Sequence, residues 1–245
     1  MDLRKSFLIL LGLILLTACT PTPAGESSRR NQSRNNISKV VKKKPKKGSS
    51  AAPRTPSNTN KYSAEEIYKR CNPAVFTITA GSSFFTSQGS GFFISSTGLA
   101  VSNYHVLQGT YLESAIVSMP SGAQYGLIDI IAQDEVNDFI LFRVNAGNKN
   151  VPYLNVTNRK PVIGQKIYAI GSPRGLENTF SSGEISQLRG DNVIQINAPI
   201  DHGSSGGVLL NEYGEAIGIT SAGMDDSGAN LNFAVDIDVI KPYIW

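Results

Sequence analysis

The sequence predicts an all-β protein, on the evidence of its strand pattern and its turn residues. Eleven short runs rich in β-branched and aromatic residues recur from residue 74 to residue 235, and Gly, Asn, Asp, Ser or Pro separates nearly all of them. Many short strands at this spacing are typical of a β-sandwich or of β-barrels. The predicted strands are 74–80, 91–95, 99–103, 114–119, 126–133, 139–144, 165–171, 192–197, 207–211, 215–222 and 231–235.

Short helices are expected on both sides of this strand-rich region. Ser63 and Glu66 have the spacing of a capping box, in which each side chain binds a backbone N–H of the other residue, so a helix is predicted over 63–70. Asp236 is a suitable N-cap for a last short helix through the final residues. A chain of 245 residues fits one domain of about 150–250 residues with appendages, or two small domains.

The N-terminus has the features of an export signal. Arg4 and Lys5 precede ten apolar residues at 7–16, a length typical of a signal peptide and short of the about 20 residues that span a membrane. The next residues, "LTAC" at 16–19, resemble the bacterial lipobox. The resemblance predicts a signal peptide over 1–18 and a lipidated Cys19, a palmitate-type anchor in a membrane. An ordinary signal with an incidental cysteine is the alternative.

Residues 19–61 are predicted to be a disordered basic linker. Positions 20–61 carry eleven Lys and Arg against one acid, Glu26, and almost no large apolar side chains. Such a segment cannot bury enough surface to offset its conformational entropy. The run "KKKPKK" at 42–47 suits anionic lipid headgroups or wall polymers, and it suits equally a solvated spacer.

The charge of the remaining chain is acidic. Residues 62–245 hold 10 Lys and Arg against 17 Asp and Glu, a net charge of −7. This argues against nucleic acid as a partner, because binding phosphates requires a basic patch on the domain. No CxxC, phosphate-binding loop or metal-ligand cluster occurs in the sequence, so neither a cofactor nor a metal is predicted. Cys71 is interpreted as a small structural residue rather than a nucleophile.

The stretch "GSSGG" at 203–207 is the candidate for covalent chemistry. A serine hydroxyl needs a neutral imidazole to take its proton, a carboxylate to orient that imidazole, and backbone N–H groups to bind the developing oxyanion. Glycines let a backbone approach the reacting group and adopt the unusual φ angles of a tight turn. The chain has two histidines, His105 and His202, and either could serve as the base on this evidence.

Four ordered blocks carry a family resemblance. The segments 89–107, 137–144, 171–186 and 194–223 look like successive blocks of trypsin-like serine proteases and, more closely, of the bacterial HtrA/Deg family. The match covers about residues 72–238. It implies two six-stranded antiparallel β-barrels with the active site in the cleft between them. The protease domain is expected over 62–245, with the first barrel at about 72–150 and the second at about 151–236.

The resemblance assigns a catalytic triad in the order His, Asp, Ser. His105 matches the general base, Asp138 the carboxylate that orients it, and Ser205 the nucleophile. Asp134 is the rival acid, and its alternative role is to stabilise the turn in which it lies. His202 lies where the family usually has proline, and it is interpreted as a substitution in the loop rather than as the base.

The resemblance also assigns the oxyanion hole and a substrate pocket. The backbone N–H groups of Gly203 and Ser205 match the oxyanion hole, with Ser204 between them in place of the family's Asn. Val208 replaces a second family proline. The pocket for the residue before the scissile bond should be small and apolar, which predicts cleavage after small aliphatic residues. Its expected lining is Pro199, Ile200, Thr220, Ser221 and Ala222.

These observations predict a lipid-anchored serine endopeptidase of the bacterial cell envelope that cleaves unfolded or damaged polypeptides. HtrA proteins usually continue into PDZ domains, and the sequence is expected to contain the protease domain without one. Monomer and homotrimer both stay open. The alternatives are a catalytically weak or inactive holdase or scaffold on the protease fold, and an adhesion or wall-binding lipoprotein whose basic tail is the working part.

Overall fold

The computed structural model describes residues 60–172, 178–190, 192–201, 203–221 and 231–244. Within these residues, twelve strands form two closed, six-stranded antiparallel barrels with a few short helices. This confirms the all-β, two-barrel fold. Among the same residues, no helix is long and apolar enough to cross a membrane.

The first helix begins where the capping box predicts. Helix α1 spans Ala64–Cys71 with Ser63 as its N-cap. The Glu66 N–H donates to Ser63 Oγ at 3.2 Å, and the Ser63 N–H donates to Glu66 Oε2 at 2.9 Å. Ile67 and Cys71 form the buried face of the helix. A short 3₁₀ turn, Asn72–Ala74, leads from α1 into the first strand.

The first barrel contains the one-turn helix α2, Tyr104–Leu107, and six strands in the order β1-β2-β3-β6-β5-β4, closed by pairing of β1 with β4. Phe76 lies at its centre, 4.8 Å from the Phe93 ring and 6.3 Å from the Phe142 ring between centroids. The strands are β1 Val75–Gly81, β2 Thr86–Phe93, β3 Leu99–Ser102, β4 Ile116–Ser118, β5 Gln124–Asp134 and β6 Phe139–Val144.

The second barrel repeats this arrangement with a different core. Its strands follow the order β10-β11-β12-β9-β8-β7, closed by pairing of β7 with β10. The interior is filled mainly by isoleucines, among them Ile167, Ile194 and Ile217. The strands are β7 Lys166–Gly171, β8 Thr179–Arg189, β9 Val193–Ile196, β10 Val208–Leu210, β11 Ala216–Ser221 and β12 Asn232–Asp236.

Strand β8 is the one described strand that the sequence pattern missed. Its sequence, TFSSGEISQLR, is mostly polar, and Ile185 is its one buried residue. The strand pairs with β7 on one side and with β9 on the other, so backbone hydrogen bonds hold most of it. Its apolar contacts come from Ile185 in the barrel core and from Phe180, which stacks on Tyr168. A search for apolar alternation could not detect a strand of this kind.

A third apolar cluster joins the two barrels. It contains Phe92 and Leu141 from the first barrel together with Ile170 and Val208 from the second. The chain's last described helices pack into the same cluster: a 3₁₀ helix, Ile237–Ile240, capped by Asp236, and α3, Lys241–Ile244. This confirms the predicted N-cap at Asp236. The cluster holds the barrels against each other.

Candidate active site

His105 is presented by α2, which follows directly after strand β3. Its neighbours Tyr104, Val106 and Leu107 are buried, whereas 45% of the His105 side chain is exposed. The three buried side chains fix the short helix, so the imidazole is directed to the surface of the first barrel.

Asp138 lies against His105 at the start of β6. The distance from His105 Nδ1 is 2.8 Å to Asp138 Oδ2 and 3.0 Å to Oδ1, and the His105 backbone N–H also donates to Oδ1 at 3.0 Å. Asp138 has a φ of +47°, which is unusual for a residue with a side chain. Buried Asn103 donates from Nδ2 to the Asp138 carbonyl at 2.8 Å, and these contacts together hold the strained residue.

Asp134 takes the alternative role that its sequence position suggested. Its Oδ1 accepts the N–H of Val136 at 2.8 Å and of Asn137 at 3.0 Å, and its Oδ2 accepts Asn137 Nδ2 at 2.9 Å. Asp134 therefore stabilises the β5–β6 turn. The structure places Asp138, not this carboxylate, against the imidazole.

Ser205 lies in a tight turn on the second barrel, next to strand β10. This turn, residues 203–207, is called the serine turn. The Ser204 N–H donates to the Asp201 carbonyl at 3.0 Å, and Gly203 and Gly206 have φ angles of +93° and +86°. Ser204 and Ser205 are both buried. The backbone of this turn is therefore ordered by hydrogen bonds and by two residues in the left-handed region.

Positions 206 and 207 require glycine because neighbouring atoms pack closely against them. A Cβ at Gly206 would lie 2.2 Å from the Ser90 carbonyl oxygen and 2.3 Å from Ser102 Oγ, and a Cβ at Gly207 would lie 2.5 Å from the Ile170 oxygen. Real Cβ atoms do not approach other atoms this closely. The glycines of "GSSGG" thus belong to a packed turn rather than a flexible one.

Strand β2 brings the two halves of the site together. The Ser90 N–H donates to the Ser205 carbonyl at 2.8 Å. The Cβ position of the neighbouring Gly89 lies 3.1 Å from the Ser205 carbonyl oxygen and 2.7 Å from the methyl groups of Val106. Val106 is adjacent to His105 in the chain, so the imidazole-bearing helix and the serine turn contact the same short piece of strand.

The predicted pocket residues have different environments. Pro199 is exposed and accepts the Ser181 hydroxyl at its carbonyl (2.9 Å), while Ile200 and Ser221 are half-buried. Thr220 is buried, and its Oγ1 donates to the Ser204 carbonyl at 2.8 Å. Thr220 therefore supports the serine turn, a contact that the sequence did not reveal. The function of these residues as a specificity pocket stays a prediction.

Three predicted site residues lie outside the described residues: the lipidation candidate Cys19, the loop residue His202 and the pocket residue Ala222. The signal peptide over 1–18 and nearly all of the basic linker over 19–61 lie outside them too.

Cys71 has the environment of a structural residue. It is the buried last residue of α1, and its Sγ donates to the Gly214 carbonyl at 3.7 Å. Burial raises the pKa of its thiol to about 12, so the thiol stays protonated at neutral pH. A protonated, inaccessible thiol is a poor nucleophile, which agrees with the interpretation from the sequence.

Ser90 and Asn103 support the site but were not predicted from the sequence. Ser90 lies between two glycines in "GSG" at 89–91 and contacts the serine turn through its backbone and its side chain. Glycines within a strand indicate that another backbone approaches closely, and this signal could have directed attention to Ser90. Asn103 precedes α2 and had no comparable signal.

The comparisons with known proteins agree with this geometry. Residues 89–219 match the family model described as "Trypsin-like peptidase domain". The chain belongs to this family. Its relatives are of the HtrA type, which confirms the resemblance carried by the four sequence blocks.

The curated relatives include "Protease Do-like 1, chloroplastic" of Arabidopsis thaliana, 33% identical over 62% of this chain and 37% of that protein. Another is the "Probable periplasmic serine endoprotease DegP-like" of Halomonas elongata, 36% identical over 62% of this chain and 33% of that protein. Among solved structures, the serine endoprotease from Yersinia pestis superimposes with a TM-score of 0.65 at 30% identity, covering 73% of this chain and 64% of that one. The chain spans about a third of the length of the two curated relatives, 37% of one and 33% of the other.

Proposed function

We propose that this protein is a serine endopeptidase in which His105, Asp138 and Ser205 form the catalytic triad. The observation that carries the proposal is the His105–Asp138 pair, in which the imidazole Nδ1 lies 2.8 Å from the carboxylate. The helix that bears His105 and the turn that bears Ser205 both contact strand β2. Membership of the trypsin-like peptidase family supports the same assignment.

The first half of the mechanism forms an acyl-enzyme. Ser205 Oγ attacks the scissile carbonyl carbon while His105 Nε2 takes the hydroxyl proton. Asp138 accepts a hydrogen bond from the Nδ1–H group, which fixes the tautomer and stabilises the imidazolium without transfer of that proton. The backbone N–H groups of Gly203 and Ser205 bind the oxyanion. Collapse of the tetrahedral intermediate breaks the C–N bond, and the imidazolium gives its proton to the departing amine.

The second half releases the product. A water molecule attacks the ester carbon of the acyl-enzyme, and His105 takes its proton as general base. The Ser205 oxygen leaves and recovers a proton from His105, which restores the free enzyme and liberates the carboxylic acid. No further group is needed for proton or electron balance.

The proposed substrates are unfolded or damaged polypeptides of the cell envelope, cleaved after small aliphatic residues. Pro199 and Ile200 support a small apolar pocket by their residue type, as Thr220, Ser221 and Ala222 do by their position in the family pattern. An extracytoplasmic location is supported by the predicted export signal and by the relative described as periplasmic. Lipid at Cys19 would tether the domain through the basic linker.

Digestion of β-casein, an unfolded protein, tests the proposal with the full-length protein. We expect the wild type to generate new peptide ends and the Ser205→Ala variant to generate none. Sequencing of the peptides by mass spectrometry should show Val, Ala or Ile before most cleavage sites. Intact casein after incubation with the wild type would argue for the holdase alternative, and cleavage mainly after Lys or Arg would overturn the assigned pocket.

The anchor is tested separately by fractionation of bacterial cells. The wild type should sediment with membranes, and Cys19→Ser should be released into the soluble fraction. A Cys19→Ser protein that remains firmly membrane-bound would refute lipidation as the tether.

A further inference from the structure

The carbonyl groups of the serine turn are held from outside the turn, one after another. The Gly203 oxygen accepts the Ser90 hydroxyl at 2.8 Å, the Ser204 oxygen accepts the Thr220 hydroxyl at 2.8 Å, and the Ser205 oxygen accepts the Ser90 N–H at 2.8 Å. Ser90 lies in the first barrel, so one residue of that barrel holds two of these three carbonyls.

The Ser90 hydroxyl is a buried junction of three segments. It accepts the N–H of Ser172, which follows β7, at 2.7 Å, and donates its own hydrogen to Gly203. Because the hydroxyl has one hydrogen to donate, that hydrogen is committed to the Gly203 carbonyl. The Ser90 carbonyl in turn accepts the Ser102 hydroxyl at 2.7 Å. Ser90 and Ser102 are both fully buried.

The bond at the Gly203 carbonyl has a consequence for the oxyanion site. A peptide unit is planar, so holding the Gly203 carbonyl fixes the plane that it shares with the Gly203 Cα and the Ser204 N–H. The Ser204 N–H donates to the Asp201 carbonyl at 3.0 Å and holds the same plane from its other side. Gly203 has a φ of +93° and, as a glycine, has wide freedom in φ and ψ. In the proposed mechanism the Gly203 N–H, which lies in the preceding peptide unit, must point at the oxyanion. Anchoring the following peptide unit fixes the Gly203 Cα from which this N–H is directed, so the glycine is held at the position that the oxyanion requires.

We propose that Ser90 is a positioning residue for the proposed peptidase reaction: its hydroxyl, reaching across from the first barrel, holds Gly203 in the orientation that binds the oxyanion. Ser90 does not touch the reacting atoms. The proposal rests on the proposed function, and it identifies a side chain through which one barrel completes the oxyanion site of the other.

The test compares Ser90→Ala with Ser102→Ala in the full-length protein. Both variants remove one buried hydroxyl at neighbouring positions, and Ser102→Ala leaves the Ser90–Gly203 bond in place. The rate of inactivation by a fluorophosphonate probe is measured at a series of probe concentrations. Its concentration dependence separates the rate constant for bond formation from the constant for initial binding. Loss of an oxyanion-hole donor costs about 10²–10³ in rate, so we expect Ser90→Ala to lower the bond-forming rate constant by about tenfold or more, with little change in binding.

Ser102→Ala should lower the melting temperature about as much as Ser90→Ala and leave the inactivation rate within about twofold of the wild type. Ser90→Cys, whose thiol is a weaker donor of similar volume, should fall between serine and alanine. Equal rate losses in Ser90→Ala and Ser102→Ala would show that Ser90 has only a structural role and would overturn the proposal.

A crystal structure of Ser90→Ala distinguishes failure of this inference from failure of the proposed function. A wild type that the probe does not label would refute the peptidase assignment. The structure would still decide the role of Ser90, because a Gly203 carbonyl that keeps its orientation without the hydroxyl contradicts the proposal, and a rotated carbonyl supports it.

Discussion

The first barrel holds its part of the candidate site through side chains, whereas the second barrel holds its part through the main chain. In the first, an ionisable pair, His105 and Asp138, is joined at 2.8 Å, and buried Asn103 supports the strained carboxylate residue. In the second, two glycines with positive φ and carbonyl groups bound from outside shape the turn around Ser205.

The difference predicts how substitutions in each half of the site affect catalysis and stability. A substitution in the first half removes a proton acceptor or its orienting partner and leaves the barrel intact, because the imidazole is partly exposed. A substitution at a glycine of the second half inserts atoms into a packed junction, so the fold is damaged with the chemistry. Four predictions test this contrast, in order of decreasing effect.

The largest effect is expected at the carboxylate of the first barrel. Asp138→Asn keeps the shape of the side chain and removes the charge that selects the imidazole tautomer, so the turnover number should fall by about 10⁴-fold with little change in melting temperature. Asp134→Asn is the matched control, because Asp134 binds the N–H groups of its own turn. Steady-state proteolysis of the two variants measures the contrast. Similar losses in both variants would reject Asp138 as the orienting acid.

A large loss of stability is expected at the glycine of the second barrel. Gly206→Ala places a Cβ 2.2 Å from the Ser90 oxygen at a φ of +86°, and we expect the free energy of unfolding to fall by about 3 kcal/mol or more. Gly122→Ala has nearly the same φ, +84°, with nothing within 4 Å of the new Cβ, so it isolates the cost of φ, about 1 kcal/mol. Urea denaturation of both variants tests the difference. Equal destabilisation would mean that the junction is loosely packed.

A smaller effect is expected for a hydroxyl that supports the backbone in each barrel. Thr220 donates to the Ser204 carbonyl, and Thr110 donates to the Leu107 carbonyl, both at 2.8 Å and both fully or almost fully buried. Replacing either by valine should cost about 1–2 kcal/mol of unfolding free energy. The Ser204 carbonyl and the Ser205 N–H belong to one trans peptide and point in opposite directions, so the bond to Thr220 also orients this proposed oxyanion donor. Thr220→Val should therefore slow labelling of Ser205, and Thr110→Val should not. Unaltered labelling in Thr220→Val would count against the main-chain account of the second barrel.

The smallest effect at neutral pH concerns Cys71, away from the site. Burial raises the pKa of its thiol from 9.0 to about 12. The unfolded chain therefore loses this proton first, and the unfolding free energy should decrease as the pH rises above about 9. At pH 8, iodoacetamide should modify native Cys71 far more slowly than Cys71 in urea, which intact mass spectrometry measures. Rapid native modification would show that the contact between α1 and the barrels opens readily.

The two halves also differed in how far the sequence predicted them. His105 and Asp138 could be identified because few side chains can act as a base and its orienting acid, and the ordered blocks selected them over His202 and Asp134. The glycines of the Ser205 turn could be recognised as a motif. The contacts that Ser90 and Thr220 make with this turn could not be predicted. The glycines beside Ser90 indicate a close backbone approach and Thr220 was assigned to the pocket, but neither signal identifies the carbonyl that the hydroxyl binds.

The strands of the fold show the same difference between what side chains reveal and what the main chain does not. Eleven of the twelve described strands lie on runs of β-branched and aromatic residues. Strand β8 was missed because most of its side chains are polar, and its backbone hydrogen bonds to two neighbouring strands leave no local pattern in the sequence. The sequence thus predicts what side chains bury or titrate, and it is less informative about what the main chain bonds to.

The most direct test of the account is to locate the covalent adduct of a fluorophosphonate probe by peptide mass spectrometry. We predict a single adduct on Ser205, with none on the adjacent Ser204, and its loss in both Ser205→Ala and His105→Ala, the second of which leaves the serine turn unchanged. An adduct on Ser204, or labelling of Ser205 that persists at the wild-type rate without His105, would contradict the claim that the two barrels jointly build one catalytic site.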